Sequence, residues 1–114
     1  MNSRDRTYLI VSTIPKGMVL TYKMVAHYAH VTNPRLVGNY LHQNLDPISI
    51  PCHRVVNSQG RCAKTYAFGG LDVQLEKLKN EAIKANKSKI DLEKYLWWPH
   101  KKQIEQWEKR FNDY

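Results

Sequence analysis

The chain has 114 residues, a length suited to one domain with a modest core. Eighteen Lys and Arg against ten Asp and Glu leave a net charge of +8, which favours a polyanionic partner: nucleic acid first, an anionic membrane surface second, a merely soluble basic surface as the plainer alternative. No apolar run approaches the roughly 18 residues of a membrane span, and Met1-Asn2-Ser3-Arg4-Asp5-Arg6 lacks the apolar core of a secretory leader, so Cys52 and Cys62 are expected as free thiols in a reducing compartment.

Residues 5–14 read as a helix that Pro15-Lys16-Gly17 ends as a turn. Thr21 is an N-cap for a second helix with Met24, Val25, Tyr28 and Ala29 on its apolar side. Asn33-Pro34 repeats the start signal, a cap residue and then proline at the first helical position, for a third helix carrying Leu36, Val37, Tyr40 and Leu41 inward. The short Ala29–Thr32 link makes the pair a helix-turn-helix candidate, with a plain helical hairpin as the alternative.

Asn44-Leu45-Asp46-Pro47 ends the third helix, and the alternation Ile48-Ser49-Ile50 predicts a short strand feeding Pro51. Asn57-Ser58-Gln59-Gly60 is a turn, residues 61–70 are a loop, and Leu71, Leu75, Leu78 and Ala82 predict a helix. Lys84 to Lys89 reads as a polar connection. Asp91 can cap a short element ending at Tyr95-Leu96-Trp97-Trp98-Pro99, and Ile104, Trp107 and Phe111 give residues 100–114 the spacing of an amphipathic helix or frayed tail after a domain spanning 1–99.

The stretch richest in chemistry is Ile50-Pro51-Cys52-His53-Arg54-Val55. A thiol of ordinary pKa about 8.5 becomes nucleophilic as the thiolate, which neighbouring positive charge favours. His53 could take the proton and Arg54 could hold the charge. Adjacent residues point apart on a strand, so contact between Cys52 and His53 requires a turn. A lone cysteine is otherwise a small buried hydrophobe.

Ile14-Pro15-Lys16-Gly17, Thr21-Tyr22, Pro34-Arg35-Leu36-Val37-Gly38, Asn44, Pro51-Cys52-His53-Arg54-Val55, and Gly69-Gly70 followed by Glu81 occur in one order. In that order the chain resembles the C-terminal DNA-binding and active-site domain of O6-alkylguanine-DNA alkyltransferases, the methylated-DNA–protein-cysteine methyltransferases, over roughly residues 5–99. The resemblance implies a mostly α, winged helix-turn-helix-like domain with a short strand or hairpin. It implies a DNA repair protein that flips O6-alkylguanine out of duplex DNA, entered through the minor groove, and moves the alkyl group irreversibly to its own cysteine.

On that resemblance Cys52 is the nucleophile, His53 a base acting through a water, and Glu81 the group that orients His53. Asn44 braces the turn, Tyr22 donates a hydrogen bond to the departing guanine, and Arg35 fills the space that the extruded nucleotide leaves. Arg54 is structural or contacts nearby backbone, and with Thr21 and Asn33 it completes the expected DNA-binding set. The expected pocket is Tyr66, Ala67, Phe68 and Val55. No metal or cofactor is implied, and a monomer is expected, cytoplasmic in a prokaryote or nuclear in a eukaryote. Each residue also has a plainer reading: Tyr22 in a core, Glu81 as one solvated charge among many, Asn44 as a helix C-cap, Arg35 as a surface cation.

Two features depart from the family. The loop after Gly60 is longer, and Ala67 or Phe68 stands where a serine shapes the guanine pocket; Cys62 in this loop is a bystander or an oxidation liability. The stretch Asp91–Pro99 resembles the end of the short alkyltransferase-like proteins, which bind alkylated guanine without removing the alkyl group and commonly carry tryptophan in place of the motif cysteine. That leaves a non-catalytic lesion-recognition protein as the alternative, with a helix-turn-helix regulator as a third.

Overall fold

Helix α1 begins where the Asn2 side chain accepts the backbone N–H of Asp5 at 2.8 Å. In the computed structural model, which describes residues 1–63 and 66–112, α1 spans Ser3–Ser12 and buries Thr7, Ile10 and Val11. A turn through Lys16 and Gly17 leads to strand β1, Leu20–Thr21.

Thr21 Oγ1 accepts from Met24 N at 3.1 Å and opens α2, Tyr22–Ala29. His30, at φ 57, ends α2 in the left-handed conformation, with Val31 N bonded back to Ala26 O at 2.9 Å. Asn33 Oδ1 accepts from Arg35 N at 2.9 Å, Pro34 takes the first helical position, and α3 runs Pro34–His42. Val37 and Leu41 are buried in the core, but Leu36, expected inward, is 39% exposed. The apolar arc of α3 is wider than the surface that α1 and α2 cover.

The predicted strand at 48–50 is absent. Asp46 Oδ1 accepts from Ser49 N, Asp46 O accepts from Ile50 N, and the chain turns, leaving Ile48 91% exposed. A short polar side chain that captures the backbone two or three residues on outcompetes a ladder that would need a partner strand. The extended segment comes after the cysteine instead. Residues Cys52–Arg54 form one 3₁₀ turn, and β2, Val55–Val56, pairs in parallel with β1 in the register Leu20↔Val55 and Thr21↔Val56. On the other side of β1, Val19 bridges Leu96 in parallel, with Trp97 N donating to Val19 O at 2.8 Å.

Helix α4, Gly70–Asn80, is followed by a hairpin, β3 Ala85–Asn86 and β4 Lys89–Ile90, where a polar connection is expected. Lys87 and Ser88 have φ of 51 and 67, the two left-handed residues of a type I′ turn without the usual glycine. Gly60 lies against this hairpin at φ 81, and a Cβ there would collide with the Ile90 carbonyl. Asp91 caps α5, Leu92–Tyr95, and α6 spans Lys101–Phe111.

Two cores result. Ile10, Val11, Leu20, Val25, Val37 and Val55 join Trp107 and Phe111 of α6 in the larger one. Val19, Val56, Cys62, Leu78, Ile83 and Ile90 form the smaller one beneath α4 and the hairpin. Strand β2 contributes Val55 to the larger and Val56 to the smaller, and Leu20 of β1 and the preceding Val19 divide the same way, so the turn bearing Cys52 is anchored at the seam. This is the expected mostly helical, winged helix-turn-helix-like architecture. Among the described residues no helix is long and apolar enough to cross a membrane.

Candidate active site

A single 3₁₀ turn carries Cys52, His53 and Arg54 and parts the cysteine from the other two, which share one partner. Hydrogen bonds hold the turn on both sides. Asn44 Nδ2 donates to Ile50 O and Asn44 Oδ1 accepts from Asp46 N, both at 2.9 Å; Cys52 N donates to Ile50 O at 2.7 Å. From the other side Gln74, fully buried on α4, donates through Nε2 to His53 O and Val55 O, each at 3.0 Å. Its Oε1 accepts from Ala63 N at 2.9 Å.

Cys52 faces a cavity of about 620 Å³ whose lining includes Tyr22, Arg35, Tyr66 and Ala67. The thiol is 4% exposed. Burial pushes its pKa up, against the opposing effects of Asn44, Tyr66 and Lys77. At rest the sulfur holds its proton, and reaction requires a group to receive it.

His53 and Arg54 turn away from the cavity toward Glu81, just past the end of α4. His53 Nε2 lies 2.8 Å from Glu81 Oε2. Arg54 reaches the same carboxylate through Nε at 2.9 Å and a terminal nitrogen at 2.7 Å, and its other terminal nitrogen donates to Ile14 O at 2.8 Å. Burial alone would raise Glu81, but hydrogen bonds from Arg54 and His53 outweigh it and hold the carboxyl at about 2. An ionised carboxylate only accepts, so His53 Nε2 carries the hydrogen and Nδ1 carries the lone pair. Burial, with help from Arg54 and Lys77, pulls His53 below the usual imidazole value despite Glu81, so the ring is neutral near pH 7. Nδ1 is buried and has no hydrogen-bond partner among the described residues.

The structure thus gathers Cys52, Tyr22, Arg35, Tyr66 and Ala67 around one cavity, with His53, Glu81 and Asn44 behind and beside the thiol. Burial pushes Tyr22 up to about 12, keeping its hydroxyl protonated. Other expected residues are placed differently. Arg54 is directed inward, its donors engaged by Glu81 and Ile14 O, which matches the structural role and leaves no guanidinium for DNA. Thr21 is buried with its hydroxyl capping α2, and Asn33 is engaged in capping the helix that carries Arg35. Val55 is fully buried opposite Leu20, outside the cavity. Phe68 packs edge-on against Tyr66, ring centres 5.8 Å apart, and is not part of the lining.

Two residues went unnoticed in the sequence, Gln74 and Lys77. Gln74 carried a usable signal, a polar residue at an inward position of the Leu71–Leu75–Leu78 stripe. Lys77 carried none, being one lysine in a lysine-rich segment. Among the described residues no three His, Cys, Asp or Glu side chains converge as a metal site would require.

Known proteins resemble this chain in sequence and fold. Residues 2–83 match the family model described as 6-O-methylguanine DNA methyltransferase, DNA binding domain. Alkyltransferase-like protein 1 of Schizosaccharomyces pombe is 30% identical over 100 residues, which are 82% of this chain and 93% of that protein. A bifunctional methyltransferase/endonuclease of Picrophilus torridus is 35% identical over 89 residues, 77% of this chain and only 29% of that protein. The crystal structure of S. pombe Atl1 in complex with damaged DNA containing O6-carboxymethylguanine superposes with a TM-score of 0.75 at 29% identity, covering 85% of this chain and 95% of the other. With the family model spanning most of its length, this chain belongs to the family defined by the DNA-binding domain of 6-O-methylguanine DNA methyltransferase.

Proposed function

We propose that the protein binds duplex DNA containing O6-alkylguanine through the minor groove, flips the damaged nucleotide into the Cys52 cavity, and transfers the alkyl group to its own sulfur in a single turnover. The carrying observation is a buried thiol at the cavity wall, backed by a neutral histidine whose buried Nδ1 is an acceptor. A stacked base is out of reach of a buried sulfur, so the nucleotide must leave the helix at a cost of a few kcal/mol. Arg35, on the first turn of the second helix of the helix-turn-helix and at the cavity lining, is placed to fill the gap.

Chemically, the Cys52 thiol proton passes to His53 Nδ1 through a bridging water, and Glu81 stabilises the imidazolium that forms. The thiolate then attacks the alkyl carbon in line with the O6 leaving atom. The C–O bond breaks as the S–C bond forms, and guanine leaves as an anion. Tyr22 hydrogen-bonds this leaving group, which the His53 proton finally neutralises. The thioether has no ready hydrolysis route, so the protein is consumed.

A second reading has its own support. The S. pombe alkyltransferase-like protein and a DNA base-flipping protein of Escherichia coli, 34% identical over 97 residues and matched over 72% of its length, are of comparable extent to this chain. In that reading the site recognises alkylated guanine and Cys52 stays unmodified. Intact-protein mass spectrometry after incubation with a duplex holding one O6-methylguanine separates the two: a one-methyl gain at Cys52 supports transfer, whereas lesion-selective binding without a mass change supports recognition.

A further inference from the structure

Lys77 of α4 reaches Tyr66, a residue of the cavity wall. Its Nζ donates to the Tyr66 hydroxyl at 3.0 Å and lies 5.4 Å from the centre of the Tyr66 ring and 5.6 Å from that of Phe68. The ammonium is therefore held between two aromatic faces as well as by a hydrogen bond. Tyr66 itself lines the cavity with Cys52. An ammonium has three donors and no acceptor, so its bond to Tyr66 occupies a lone pair of the phenol oxygen. The phenol proton is left free to turn toward the cavity whose wall Tyr66 shares with Cys52, where a bond from the Tyr66 hydroxyl favours the thiolate.

Gln74, Lys77 and Glu81 follow one another at intervals of three and four, so one face of the α4 segment presents all three to the Cys52 turn. Gln74 fixes the backbone and Glu81 fixes His53. We propose that Lys77 is a positioning residue that acts through the Tyr66 hydroxyl to favour the thiolate of Cys52. Among the described residues, the other titratable or charged groups around the sulfur are Tyr8 from α1, Tyr22 from α2, Arg35 and His42 from α3, and His53 in its own turn. Of the two described residues here with permanent positive charge, Lys77 and Arg35, only Lys77 is tied to a hydroxyl of the cavity wall. The same ammonium disfavours a second positive charge on His53, so it promotes the anion on one side while keeping the base unprotonated on the other.

The inference rests on Cys52 being the reactive group of the proposed site, and its test needs no DNA. The rate of Cys52 alkylation by iodoacetamide, mapped by peptide mass spectrometry, is measured against pH in the full chain. Cys62, buried in the smaller core, reports loosening of the fold in the same samples. Lys77→Met is expected to move the midpoint of the Cys52 profile to higher pH and to slow alkylation near neutrality about three- to tenfold. Lys77→Arg, which keeps the charge and the donors, is expected to stay near wild type. In a Tyr66→Phe background the Lys77→Met shift should shrink, because the hydroxyl that transmits it is gone. An unchanged midpoint in Lys77→Met, or an equal shift with and without the Tyr66 hydroxyl, overturns the proposal; if Lys77→Met labels Cys62 as readily as Cys52, Lys77→Gln is read by the same criteria. A shifted profile in a protein that never gains a methyl from DNA would leave this inference standing and remove the transferase reading.

Discussion

Glu81 shows how much one carboxylate can organise. It is 10% exposed, yet it receives both Arg54 and His53, and Gly17 N approaches it at 3.5 Å. Its pKa is held at about 2 against an ordinary 4.5, so the folded state binds this proton less readily than the unfolded chain. The contribution to stability is present in full above pH 4.5 and disappears as the pH falls toward 2. From the size of that depression it is about 3 kcal/mol. Chemical denaturation of wild type and Glu81→Gln across this range should give a stability gap that narrows on acidification; a gap constant with pH would remove the carboxylate from this role. At this scale the motif Cys52-His53-Arg54 was legible in the chain. Its partner was not legible from local pattern, because Glu81 is 27 residues from Arg54, just past the end of a helix that carries other charges; only the family resemblance singled it out. Arg54 was expected to hold the thiolate's charge, to be structural or to join the DNA-binding set; it holds the Glu81 carboxylate and Ile14 O, the structural role.

At the scale of elements, α4 is the bracket that keeps the reactive turn in place. Gln74→Leu would remove three hydrogen bonds and strand two carbonyls and one N–H in a dry site. A loss of about 2–4 kcal/mol is expected, read as a lower urea midpoint at unchanged m-value. A loss below about 0.5 kcal/mol would mean that the turn holds itself. Helix starts were legible here, because Thr21, Asn33-Pro34 and Asp91 are caps whose chemistry is local. The strand predicted at 48–50 failed because alternation in a three-residue stretch is weaker than the Asp46 turn. The hairpin at 85–90 was hidden because Lys87 and Ser88 adopt left-handed backbone without the Asn-Gly or Asp-Gly signature.

For the whole molecule, the spacing of Ile104, Trp107 and Phe111 indicated a helix but not its destination. Trp107 packs edge-on against Trp97 and beside Tyr28, and Phe111 meets His30, so α6 closes the core under the helix-turn-helix. That arrangement needs contacts across most of the chain and could not be read from any window. In the proposed function, Arg35 on this supported helix-turn-helix acts on the duplex rather than on the base. Arg35→Ala should therefore slow methyl uptake from duplex DNA about tenfold or more while leaving uptake from free O6-methylguanine within about twofold. Equal losses on both substrates would place Arg35 in the pocket chemistry instead.

The most direct measurement of the central claim is the mass of the intact protein after incubation with a duplex containing a single O6-methylguanine. One added methyl on Cys52, stoichiometric, absent in Cys52→Ser and not followed by turnover, is the expected result. An unmodified Cys52 in a protein bound to the lesion at saturation would contradict transfer, and the cavity would then be a site of recognition.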